Sequence, residues 1–147
     1  MGILISYIYF PPYWLPAISQ VTAPTLQDIT TKGYIDYQCD RIRLFNESPT
    51  KEILKDYIKC QSDIYGYDWD LNVATNIAWC ESTGNVKAHN FSDITKDDSW
   101  GLFQINRYGK LEDERPTSEW LKIPENNISY AYELYQSDGW NHWKNCL

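Results

Sequence analysis

The stretch from Cys80 to Asn106, CESTGNVKAHNFSDITKDDSWGLFQIN, constrains the fold more than any other part of the chain. It closes a helix-like run on a carboxylate, Glu81, and passes through polar, turn-rich sequence. It then returns as a short apolar segment, Gly101-Leu102-Phe103-Gln104-Ile105-Asn106. Leu102, Phe103 and Ile105 require burial, while Ser99, Gln104 and Asn106 around them hydrogen-bond well. A fold that satisfies both sets a helix end against a polar strand or turn across a small gap. An acid facing hydrogen-bonding groups across such a gap can protonate the bond between two sugars.

The run before Glu81 supports that placement. Asp68 or Asp70 can cap a helix start, and Leu71, Ala74, Ile77 and Ala78 recur at helical spacing. Glu81 lies seven residues after Ala74 and four after Ile77, so it continues the apolar face. Gly84 is predicted to end the helix in the left-handed conformation. A carboxylate that ends an apolar stripe is partly desolvated, which disfavours its charged form and raises its pKa. A general acid working near neutral pH needs that shift. The plainer reading of the same position is a carboxylate that reaches solvent at a helix end.

Elsewhere, composition excludes more than it proposes. The chain has 147 residues, enough for one domain with a core and too few for two ordinary ones. Seven Trp, twelve Tyr and four Phe suit stacking on carbohydrate, and equally suit a dense small core, where most of these rings belong. A net charge of −7 argues against nucleic acid as a partner, because binding the phosphate backbone needs a basic face. Cys39, Cys60, Cys80 and Cys146 form an even set with no C-x-x-C pair, and neither His89 nor His142 has ligand spacing, so no metal site is expected. Two disulfides in an oxidising compartment are the economical reading, against four buried thiols in the cytosol, and the four cysteines allow three pairings.

Residues 1 to 27 carry no charged side chain, and Ile3 to Phe10 is apolar enough for a signal-peptide core with Val21-Thr22-Ala23 as a cleavage site. Against that reading, no basic residue precedes the run, and Pro11, Pro12, Pro16 and Pro24 interrupt any helix. The segment is too broken for a membrane span of about 20 residues. Residues 1–27 are thus read as a leader or an N-terminal extension, and 28–147 as the folded domain. After the leader, Thr25 to Gly33 reads as a linker and Tyr34 to Phe45 as a helix. Ser48 and Pro49 are predicted to start a second helix that runs to Cys60. A short connection between those helices favours contact between Cys39 and Cys60. Val86 to Asn106 is predicted irregular with at most a small sheet, and Tyr108 to Ser118 a charged connection. Pro124 opens a last helix whose buried face is Ile128, Ala131, Leu134 and Tyr135, with Gly139 ending it. Sequons at Asn46, Asn90 and Asn127 are too common by chance to carry meaning.

The wording of the central stretch resembles the lysozyme-like superfamily, both c-type lysozymes and soluble lytic transglycosylases. The matching residues are Glu81-Ser82 at a helix end, the polar excursion Asn85 to Ser99, and Gly101-Leu102-Phe103-Gln104-Ile105-Asn106. A second match is Ser137-Asp138-Gly139 leading into Trp140-Asn141-His142-Trp143 and Cys146, similar to the W-x-x-W and cysteine that end c-type lysozymes. The resemblance covers about half the chain, from Asp68 onward. It implies an α+β, mostly α-helical fold, with a cleft between a helical core and a small irregular or β region. It also implies a peptidoglycan-cleaving muramidase acting on the β-1,4 bond between N-acetylmuramic acid and N-acetylglucosamine. Glu81 would be the general acid, desolvated by Trp140, with Gln104, Asn106, Asn90 and Ser99 along the sugar-binding wall. For Gln104 and Asn106 the competing role is loop-stabilising hydrogen bonds to backbone.

The chain departs from c-type lysozymes where those place an Asp before the aromatic-Gly pair. Here that residue is Ser99, and Asp98, one position earlier, is the provisional second carboxylate. One residue of register turns a strand side chain to the opposite face. Lytic transglycosylases use a single Glu, so hydrolysis and lytic transglycosylation both stay open. A catalytically inactive glycan-binding or protein-interaction module is the alternative. If Trp140 comes near Glu81, the chain end returns to the start of the active-site stretch, giving Cys80–Cys146 and leaving Cys39–Cys60. By analogy with c-type lysozymes, Cys146 would instead pair with Cys39 or Cys60. The expected protein is a secreted, periplasmic or virion-associated monomer that acts on peptidoglycan strands without a cofactor.

Overall fold

The computed structural model describes Cys39 and residues 49–147. The leader, the linker, most of the first expected helix, the Ser48 cap and the Asn46 sequon lie outside the described residues.

Helix α1, Lys51–Tyr65, begins where Thr50 Oγ1 accepts the amide of Ile53 at 3.3 Å. Pro49 therefore precedes the cap and is not the first helical residue. The helix also runs past Cys60 to Tyr65, because Gly66 is the first residue to take the left-handed conformation (φ 72°) that stops it. Helix α2, Leu71–Ser82, is capped by Asp70, whose carboxylate accepts the amides of Asn72 and Val73 at 2.8 and 3.1 Å. Its cap falls one residue before the predicted glycine. Thr83 takes the left-handed cap (φ 51°), while the Ser82 hydroxyl accepts the Gly84 amide at 3.2 Å.

A three-stranded antiparallel sheet follows, in the order β1 (His89–Ser92), β2 (Asp97–Trp100) and β3 (Ile105–Asn106). The charged connection contains short helices α3 (Leu111–Glu114) and α4 (Ser118–Leu121). Helix α5, Pro124–Asp138, has Pro124 in its first turn and Gly139 at its end, and a kinked 3-10 segment, Asn141–Cys146, completes the described chain. The result is mostly helical with one small sheet, an α+β arrangement.

The core joins these elements through Leu54, Tyr57 and Ile58 of α1, Ala74, Ile77 and Ala78 of α2, and Ile128 and Ala131 of α5. Leu102, Phe103 and Ile105 enter the same cluster. Each large aliphatic side chain buried here contributes about 1.5–3 kcal/mol, so the apolar triplet anchors the segment between β2 and β3 onto the helices. Its aim is fixed further by Asn127, fully buried on α5. Asn127 Oδ1 accepts the Phe103 amide at 2.9 Å, and its Nδ2 donates to the carbonyls of Trp100 (2.9 Å) and Leu121 (3.0 Å). The clasp needs a glycine at position 101, where a Cβ would stand 2.2 Å from Asn127 Nδ2 and 2.5 Å from the Leu121 carbonyl.

Disulfides join Cys39 to Cys60 and Cys80 to Cys146, each with Cα atoms 5.8 Å apart. The second returns the end of the 3-10 segment to the last turn of α2.

Candidate functional site

Glu81 occupies that last turn, one turn beyond the buried Ile77. Its carboxyl is half-buried, and burial pushes its pKa above the usual carboxylate range, with the negative charge of Asp97 adding to the rise. The next residue, Ser82, is turned inward: its hydroxyl donates to the Ala78 carbonyl at 2.9 Å and closes the helix end beneath Glu81. The Sγ of Cys146 lies 3.2 Å from Glu81 Oε1. As half of a disulfide this sulfur carries no proton to donate, so the contact covers the carboxyl without hydrogen-bonding its charged form.

On β2 the alternation of side chains separates two acids. Asp97 and Ser99 share one face, and the Ser99 hydroxyl donates to Asp97 Oδ1. Across the ladder, Asn90 pairs with Ser99, and its Nδ2 donates to Asp97 Oδ2 at 2.6 Å. Asp97 is thus held by two donors, and it is the carboxylate whose charge reaches Glu81. Asp98, the residue singled out by sequence, has its carboxylate on the other face. There its Oδ1 meets His89 Nε2 at 2.8 Å and accepts from Trp100 Nε1 at 3.0 Å. His89 stacks on Trp100 with ring centroids 3.5 Å apart, and Lys122 Nζ lies 4.6 Å from the Trp100 centroid. The one-residue offset of a strand puts the two carboxylates on opposite faces.

The expected sugar-binding side chains divide in a similar way. Asn90 and Ser99 stand with Asp97 on one face of the hairpin. Gln104, itself left-handed (φ 46°), donates to the carbonyls of Gly101 (2.9 Å) and Ala88 (3.2 Å). Asn106 Oδ1 accepts the amides of Tyr108 and Asp98 at 2.7 and 3.2 Å, and its Nδ2 donates to the Lys96 carbonyl at 3.1 Å. Both amides therefore brace the loop. They also line a cavity of about 220 Å³, shared with Arg115, Leu134, His142 and Trp143. Arg115 donates to the Asn106 carbonyl at 2.5 Å, which fixes a guanidinium at this wall.

Trp140 packs within an aromatic cluster, with centroids 4.4 Å from Tyr135 and 5.6 Å from Trp69. Trp143 is the buried ring that ties the tail to the apolar segment, its Nε1 donating to the Phe103 carbonyl at 2.8 Å. The ring expected against Glu81 is held in this aromatic packing, and a contact on the Glu81 carboxyl comes from the Cys146 sulfur.

Sequence reasoning set Asp97 along the cleft with no role of its own, and missed Asn127 and Arg115. Period two counted back from Ser99 points to Asp97. Helical spacing also puts Asn127 four residues before Ala131, on the buried face of α5. Nothing in the sequence singles out Arg115. Among the described residues no group of His, Cys, Asp and Glu is arranged to hold a metal ion.

The family described as a lysozyme like domain matches residues 64–145, a span that holds Glu81, the hairpin, the Gly101–Asn106 segment and both matched tryptophans. No curated protein and no solved structure shows a significant match to the chain.

Proposed function

The chain belongs to the lysozyme-like domain family, and from that premise we propose that it cleaves the β-1,4 bond between N-acetylmuramic acid and N-acetylglucosamine in peptidoglycan. Membership by itself carries glycan cleavage or glycan binding in general. The observation that favours cleavage is Glu81, a half-buried carboxyl at a helix end whose environment opposes its charge. A group in that state keeps its proton nearer neutral pH and can deliver it to a leaving glycosidic oxygen, as the general acid of lysozyme does.

As the bond to the leaving sugar breaks, positive charge develops on the ring carbon and oxygen. Asp97, braced by Asn90 and Ser99, is the anion suited to face that charge, in place of Asp98. The cavity beside Gln104 and Asn106 supplies room for a neighbouring sugar, with Arg115 and His142 at its rim suited to a muramyl carboxylate. Water then completes hydrolysis, or the muramic acid's own hydroxyl closes a 1,6-anhydro ring. Mass spectrometry of released muropeptides separates the two, since anhydro products are lighter by one water. Two disulfides fit an oxidising, extracytoplasmic setting. No helix among the described residues is long and apolar enough to cross a membrane.

The deciding experiment is wall lysis followed by turbidity, with wild type and Glu81→Gln compared after circular dichroism has shown both to be folded. The variant is expected to lose about a hundredfold or more of the rate. Equal rates would remove Glu81 from the chemistry. A folded wild type that binds glycan strands without cutting them would leave a binding module.

A further inference from the structure

We infer that the Cys80–Cys146 disulfide is a positioning group for Glu81, and that opening this bridge changes the acid's proton affinity by changing what the sulfur can do. The inference rests on the reading of Glu81 as the general acid. Its basis is the 3.2 Å contact between Cys146 Sγ and Glu81 Oε1, made by a bridge whose other half, Cys80, is Glu81's neighbour in the chain.

A disulfide sulfur is a weak acceptor and no donor. Beside a protonated Glu81 it can accept the carboxyl proton; beside an ionised Glu81 it offers nothing and excludes water. Both effects favour the protonated acid. Reduction reverses the asymmetry. A dithiol reagent passes two electrons and two protons to the bridge, the S–S bond breaks, two thiols form, and the reagent closes to its own disulfide. The Cys146 thiol then has an S–H to donate to the carboxylate, and a freed tail admits water. Both changes favour the charged form. Among the charged groups of the facing elements, Asp97 on β2 supplies the field that opposes the charge of Glu81, while His142 and Lys144 on the tail are exposed to solvent.

Access makes the bridge selectively addressable. Cys80 is exposed and Cys146 partly so, whereas in the other bridge Cys60 is only partly exposed and Cys39 is 3% exposed. A thiolate attacks the reachable sulfur first. Mild dithiol is therefore expected to open Cys80–Cys146 while Cys39–Cys60 persists, which alkylation and peptide mapping verify.

The test is a carbon-13 NMR titration of the Glu81 carboxyl, identified by its loss in Glu81→Gln, on the full chain before and after mild reduction. A Cys80→Ala/Cys146→Ala variant serves as a third sample. Circular dichroism and a thermal melt report the fold. The expected result is a folded protein whose Glu81 midpoint falls by about one pH unit on reduction, with the alkaline limb of the lysis profile following it. The alanine variant should fall between the two, since it lacks the acceptor and gains no donor. An unchanged midpoint in a folded, reduced protein would overturn the inference. So would unfolding on reduction, which would make the bridge a structural staple only. The NMR readout needs no turnover, so a shifted midpoint without wall lysis would uphold the sulfur's influence and reject the catalytic reading.

Discussion

Glu81 and Asp97 are neighbours in electrostatics though sixteen residues apart in sequence, and their coupling can be tested one charge at a time. Replacing Asp97 by Asn removes the anion that helps to keep Glu81 protonated. The alkaline limb of the pH–rate profile should then move to lower pH, and the rate at the optimum should fall about tenfold or more. Asp98→Asn should leave that limb in place, because Asp98 serves His89 and Trp100 on the opposite face. A limb that moves with Asp98 and not with Asp97 would reverse the assignment. Glu81 also carries a stability signature. Its pKa is raised in the folded protein, so its favourable share of stability is complete below the ordinary carboxylate value and is lost as pH rises through the folded value. Glu81→Gln should therefore melt higher than wild type at about pH 7 and match it at about pH 3, a difference that paired thermal scans resolve. A variant that melts lower at neutral pH would mean the carboxylate is better solvated than its burial implies.

At the scale of elements, the site depends on how the apolar segment is clamped to α5. Asn127 satisfies the Phe103 amide and two carbonyls from inside the core, so Asn127→Ala leaves a buried donor unpaired. The loss should be about 3 kcal/mol in urea denaturation. Gly101→Ala should cost at least as much, since its Cβ would collide with both the Asn127 amide and the Leu121 carbonyl at a position with φ 77°. If either variant stays within 1 kcal/mol of wild type, about the scale of an ordinary surface change, the clasp is not what holds the segment. Helices α2 and α5 were legible because their apolar residues recur at helical spacing and their ends carry Asp70, Pro124 and Gly139. The hairpin was not. His89–Ser92 and Asp97–Trp100 carry little apolar alternation, for one is nearly all exposed and the other buries only Ser99. Side-chain hydrogen bonds such as Asn90 to Asp97 reinforce its ladder, and such pairs leave no hydrophobic period to read. The same lack of a period left the facing of Asp98 open, since the sequence showed that one residue of register would decide its face and gave no means of fixing that register. Glu81 was legible because it continues a helical stripe.

For the whole molecule the governing quantity is charge. Twenty acidic residues against thirteen basic ones give −7, and the wall proposed as substrate is itself anionic. Basic muramidases gain encounter rate from long-range attraction; this chain meets repulsion at every approach. On the proposed reading, recognition falls to contacts made at short range, in the cavity beside Gln104 and Asn106 and along the Asn90–Asp97 face. The two ranges respond differently to salt. Raising ionic strength from about 10 mM to about 150 mM shortens the screening length from about 30 Å to about 8 Å. The repulsion at a distance weakens strongly, while hydrogen bonds inside the cavity change little. Lysis of intact walls should therefore speed up across that range, and cleavage of a short uncharged chitooligosaccharide should stay nearly flat. Measuring both substrates in the same salt series separates encounter from chemistry. A wall-lysis rate that falls with salt would require a basic face strong enough to outweigh the net charge, and would overturn the account of short-range recognition.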